Sequence, residues 1–138
     1  MEVWRVAIAG EPFILIFSLI FVFNCSNAKE QNLKGVWQYV SGEYKSDDST
    51  LVFTNEDVNS MKVYSDKYYS MNTHIKSSGD YFAHSGLYSL NGDEYTEIFK
   101  ISKNPEMVGK SETFKYQISG NQLEISSEWL KEVWKKIE

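Results

Sequence analysis

The stretch "HSGLYSLNGDEYTEIF", His84 to Phe99, holds two runs of alternating residues on either side of a turn. His84, Gly86, Tyr88 and Leu90 share one face of an extended chain. Tyr95, Glu97, Phe99 and Ile101 share one face of the next. A period of two marks a strand. Asn91-Gly92 supplies the residue types that take the two positive φ values of a type I′ turn, so the stretch reads as a β-hairpin.

Working outward, "QISGNQLEI" and "IKSSGDYF" repeat the arrangement around Gly120 and Gly79. The predicted strands are 35–41, 50–54, 60–64, 67–75, 80–90, 94–102, 110–118 and 121–126, followed by a last element over 130–137. Turn signals recur about every ten residues, which is the spacing of an all-β sandwich or barrel. Consecutive hairpins predict an up-and-down antiparallel meander, and eight or more such strands close on themselves to remove unpaired edges. In "KNPEMVG", Pro105 lacks an N–H and places 103–109 in a loop. The last element is ambiguous. Leu130, Val133, Trp134 and Ile137 have helical spacing, whereas as a strand Leu130, Glu132, Trp134 and Lys136 would share a face.

The 138 residues suffice for one domain. Residues 13–23, "FILIFSLIFVF", are apolar apart from Ser18. As a helix they rise roughly 16 Å, short of the ~30 Å hydrocarbon core. With Ser26-Asn27-Ala28 downstream, residues 1–28 read as a signal peptide and 29–138 as the exported domain. Cys25 is the single cysteine. It offers a lipoprotein anchor as an alternative, although Asn24 stands where that pattern wants a small residue. Membrane attachment is expected only through this segment or Cys25. The remaining domain has no thiol chemistry and no disulfide. Without the leader, 17 acidic residues face 13 basic ones, which argues against a nucleic-acid partner. A monomer is expected.

"LKGVWQYV", Leu33 to Val40, carries Gly35-Val36-Trp37 at the head of the first strand. This resembles the G-x-W signature of lipocalins and the wider calycin group. "KVYSD", "GLY" with "YTE", "VGK" and "EVWKK" follow in order through the chain. Together they resemble an uncharacterised lipocalin-like family of exported bacterial proteins. The resemblance implies a small closed barrel in which Gly35 permits a close approach and Trp37 plugs one end. Lys136 would brace the indole from the last strand, with Lys135 second. It also implies that 130–137 is a strand, and that reading is adopted over the helical one.

If the two faces named above are inward, the lumen holds a carboxylate, phenols and an imidazole. Glu97 is then the candidate polar anchor, because a buried carboxylate needs hydrogen-bond partners. Tyr39, His84, Tyr88, Tyr95, Phe99 and Tyr116 complete the candidate lining. The expected function is binding of a small, mainly apolar or aromatic molecule. One alternative is a filled barrel acting as a protein-interaction scaffold; another is an enzyme using Glu97 for acid–base chemistry, which needs Glu97 buried beside an open cavity. His74 and His84 match no metal spacing and are expected to be exposed; no cofactor is expected, and no nucleophile motif or phosphate-cradling loop is found. Tyr64, Tyr68, Tyr69 and Met71 are read as cross-strand packing before an aromatic rim.

Overall fold

A computed structural model describes residues 32–138. The expected leader, its cleavage site and Cys25 lie outside the described residues. Nine strands follow in chain order: β1 (Gly35–Lys45), β2 (Thr50–Thr54), β3 (Val58–Tyr64), β4 (Tyr68–Ile75), β5 (Tyr81–Asn91), β6 (Glu94–Ser102), β7 (Ser111–Ser119), β8 (Gln122–Ser126) and β9 (Leu130–Lys136). Each strand from β3 to β9 pairs with the next, every pairing is antiparallel, and β9 pairs back onto β1.

One edge of β1 is shared by two partners. Gly35–Gln38 pair with β3, and Ser41–Lys45 pair with β2. The strands β2 and β3 therefore form one line interrupted at residues 55–57, and the closed cylinder has eight staves. The Asn55 amide donates to the Val40 carbonyl across the break at 3.0 Å. Among the described residues, closure gives β1 and each strand from β3 to β9 a partner on both sides and leaves the short β2 with one free edge; removing edges is the reason a meander of this length curls up.

The last element is a strand, despite its helical spacing. Leu130, Glu132 and Trp134 alternate inward on it, and Lys131 and Lys135 are exposed. Its residues find two ready ladders, β8 and β1, so tertiary pairing overrides local periodicity. The 89–95 hairpin also differs from expectation in one detail. Positive φ falls on Gly92 alone, with Asn91 paired to Glu94. That is the type II′ pattern rather than type I′.

Strand β5 meets β6 with a register shift between Ser85 and Gly86. A Cβ at Gly86 would overlap the Ile98 carbonyl oxygen of β6. Glycine is what lets the two backbones touch at this bulge. The shift turns Ile101 out to solvent at 69% exposure, although it was expected on the inward face with Phe99, which is buried. The short 3₁₀ turn Pro105–Met107 fills the loop expected around Pro105, capped by the Asn104 side chain accepting from the Glu106 amide.

The core is aromatic: Trp37, Tyr39, Tyr64, Tyr69, Tyr95, Phe99, Phe114, Tyr116 and Trp134 are all buried in one cluster. At one end, the Trp37 indole N–H donates to the Leu33 carbonyl at 2.7 Å, and Leu33 is fully buried. Lys136 Nζ stands 5.5 Å from the Trp37 ring centroid. Gly35 has φ +124°, and a Cβ there would overlap the Glu138 carbonyl oxygen. That carbonyl accepts from the Val36 amide at 2.9 Å. Tyr64, Tyr69 and Met71 belong to the core, and Tyr68 is exposed.

Candidate functional site

Strand β3 inverts the ordinary alternation. Val58, Ser60, Lys62 and Tyr64 point inward, while Met61 and Val63 face solvent. Lys62 is 4% exposed and is the register partner of Trp37 on β1. An isolated buried ammonium is costly, and this one is surrounded by compensation. Its Nζ donates to Glu97 Oε1 at 3.1 Å and lies 3.8 Å from Glu132 Oε2. It also sits 5.1 Å from the Trp134 ring centroid and 5.8 Å from that of Tyr95. Burial alone would lower its pKa, but the fields of Glu97, Tyr64 and Glu132 outweigh that and hold it above lysine's ordinary value.

Both carboxylates have further donors. Tyr95 donates its hydroxyl to Glu97 Oε1, and the Tyr64 hydroxyl donates to that of Tyr95 at 3.1 Å. Glu132 accepts from the Tyr44 hydroxyl at 3.0 Å and from the Trp134 indole N–H at 2.9 Å. The Tyr39 and Tyr44 hydroxyls are 3.3 Å apart. Burial pushes the Tyr39 phenol up to about 12, and it raises Tyr44, Tyr64 and Tyr69 as well. The phenols are therefore held neutral, and Tyr44 and Tyr95 are donors to the two carboxyl groups.

His84 is buried, in keeping with its place on the inward face and not with an exposed histidine. Its Nδ1 is 2.9 Å from the Tyr69 hydroxyl and 3.8 Å from Glu97 Oε2. Its ring packs edge-on against Phe99. Burial pushes its pKa down to about 4, against the pull of Glu97. The unfolded chain, with an ordinary pKa of about 6.5, binds a proton that the folded chain refuses. The stability this creates is fully present above about pH 6.5 and erodes as the pH falls toward 4. The expected loss is about 3 kcal/mol. Urea midpoints of the protein and of His84→Phe between pH 7 and 4 check it. The variant should lose less stability over that range, and parallel profiles would refute the assignment.

Above this polar layer lies a cavity of about 380 Å³. Its walls include Tyr39, Tyr44, Phe53, Phe114 and Trp134, and its polar lining includes Ser60, Lys62, His84, Glu97, Glu112 and Glu132. Leu51, Phe82, Met107 and Trp129 also line it; of these Leu51 and Trp129 are about half exposed, at 56% and 47%. These four come from strand ends and loops remote from Trp37, so the cylinder is plugged at one end and open at the other.

Among the candidate ligand-binding residues, the fold brings Tyr39, His84 and Glu97 to the cavity wall. Tyr95 stands behind Glu97 as its donor. Phe99 and Tyr116 are buried in the core, Tyr116 edge-on to Tyr95. Tyr88 is half-buried, and its hydroxyl donates to the Ser65 carbonyl at 2.7 Å. Lys62, Glu112 and Glu132 were not foreseen from sequence. The sign available for Glu132 was its place on the same strand face as Trp134. For Lys62 it was the period-two relation to Tyr64 within "KVY".

An eight-stave antiparallel cylinder, sealed by a tryptophan at one end and open to a lumen at the other, is a lipocalin-like β-barrel. The family described as a domain of unknown function, DUF4488, matches residues 32–138, and the chain belongs to it. A lipocalin-like protein from Bacteroides uniformis ATCC 8492 has a similar crystal structure. The TM-score is 0.55 and the identity 24%, over 76% of this chain and 98% of that one. An uncharacterized protein from Bacteroides eggerthii DSM 20697 is similar with a TM-score of 0.53 and 19% identity, over 76% and 99% of the two chains. These likenesses establish the fold. No curated protein matches the chain.

Proposed function

We propose that this protein is an exported barrel that binds a small, mainly apolar or aromatic molecule in its lumen. The observation that carries the reading is the open cavity of about 380 Å³. Small-molecule pockets begin at roughly 300 Å³, and a filled scaffold would leave far less. The walls are aromatic and the polar groups few and clustered, which is how such sites fix orientation. Glu97 anchors the polar part of the ligand from the lumen floor. Its Oε1 is already held by Lys62 and Tyr95, and this supports a positioned acceptor rather than a group free to shuttle protons. Export is supported by the apolar run at 13–23 and by Ser26-Asn27-Ala28.

Ser60 points into the cavity from β3, with its hydroxyl 2.6 Å from that of Thr73. Ser60→Phe should occupy the lumen while leaving the charged floor in place. Titration of the purified protein with 1-naphthalenemethanol, followed by tryptophan fluorescence, is expected to show one saturable site. The site should be lost in Ser60→Phe with the strand signature in circular dichroism retained. No binding to the parent protein, or equal binding to a folded Ser60→Phe, would overturn the reading. Native mass spectrometry of protein from its own host would then report any resident molecule.

A further inference from the structure

The lumen does not balance its charges. Glu97, Glu112 and Glu132 all line the cavity, and Lys62 is the sole lysine or arginine among the lining residues. Lys62 is already committed to Glu97 and Glu132. His84, depressed to about 4 by burial, adds no positive charge near neutral pH. Two carboxylates around one ammonium leave that group with one excess negative charge, and Glu112 brings another.

Glu112 is placed with some cost. It is the register partner of Glu97 across β6 and β7, and both side chains face the same cavity. Like charges directly opposite on paired strands destabilise a sheet. Burial and the field of Glu97 raise the Glu112 pKa. A barrel that needed only to be filled gains nothing from this pair. The same cavity is lined by the rings of Tyr44, Phe53, Phe114 and Trp129, and aromatic faces attract cations. Among the described residues, no three His, Cys, Asp or Glu groups are placed to hold a metal ion. The complement to this wall is a diffuse organic charge.

We propose that the lumen selects an organic cation, an ammonium or amidinium group on an apolar or aromatic body, with Glu112 as its counter-ion and Glu97 beside it. The inference rests on the lumen binding proposed above and assigns its ligand class. A carboxylate-bearing molecule would meet a wall of its own sign in a low-dielectric enclosure. Lys62, the one lysine it could approach, already donates to Glu97 at 3.1 Å and lies 3.8 Å from Glu132, so its charge is offset before a ligand arrives. The lumen therefore discriminates against fatty-acid-like anions.

The test uses three probes that share one ring system: 1-naphthylmethylamine, 1-naphthalenemethanol and 1-naphthoate. They are titrated calorimetrically at neutral pH and low salt. The amine is expected to bind about tenfold tighter than the alcohol, and the acid at least about tenfold weaker. Glu112→Gln should bring the amine to within about threefold of the alcohol and leave the alcohol unchanged. If that variant does not fold, the ranking on the parent protein decides alone. Equal or tighter binding of the acid, or an amine preference that survives in folded Glu112→Gln, overturns the proposal. Binding of the alcohol without charge preference sinks the ligand class but spares the lumen. Failure of all three probes sinks both.

Discussion

Lys62→Ala is expected to destabilise the protein by about 3–5 kcal/mol, the cost of removing one partner from a buried ion pair. The substitution strands Glu97 and Glu132, which are 2% and 7% exposed. Their hydrogen bonds from Tyr95, Tyr44 and Trp134 survive it. Those neutral donors cannot replace a full positive charge. The loss therefore comes from the abandoned carboxylates more than from the missing lysine stem. A triple variant, Lys62→Met with Glu97→Gln and Glu132→Gln, separates the two. It keeps the volume and removes all three charges, and it should recover most of the stability, because buried ionic groups are often no better than neutral isosteres. Urea unfolding of the parent, the single variant and the triple variant gives the three values. A single variant within about 1 kcal/mol of the parent would show that the floor is not a closed ionic network.

Trp37→Ala is expected to cost about 3–5 kcal/mol, the range for emptying a buried aromatic site. The indole is 1% exposed and holds the Leu33 carbonyl through its N–H. Removing it opens the sealed end and leaves that carbonyl without its donor. Lys136→Met tests the cation above the ring and should cost much less, about 0.5–2 kcal/mol. Trp37→Phe fills part of the space but lacks the N–H, so it should fall between the two. Thermal and urea unfolding check the order. If Trp37→Ala costs no more than Lys136→Met, the indole is not the seal.

The hairpins, the loop around Pro105 and the inward course of Tyr95, Glu97 and Phe99 were legible in the sequence, because each follows from local turn chemistry and a period of two. Ile101 was misplaced because a bulge between Ser85 and Gly86 resets that period, and a glycine alone does not say whether it marks a gap or a contact. The element at 130–137 could not be assigned from its pattern, since Leu130, Val133, Trp134 and Ile137 suit a helix as well as a ladder. The resemblance to lipocalin-like proteins supplied what periodicity could not. The charged floor was hidden for a different reason. Hydrophobic alternation assumes that apolar residues face inward, and β3 puts Met61 and Val63 outside and Lys62 inside. Only a charge count across strands finds such a residue. A glutamate on the same face as Trp134 demands a partner, and "KVY" places a lysine on the face of Tyr64.

The meeting of Gly35, Val36 and Glu138 at the sealed end has a consequence for how the molecule is presented. The described chain enters and leaves side by side at the base of the cylinder, where the Val36 amide holds the final carbonyl. A tether at either end therefore pulls from beneath the tryptophan seal. A barrel fastened in this way stands like a cup on its foot, with its aperture turned toward the surrounding fluid.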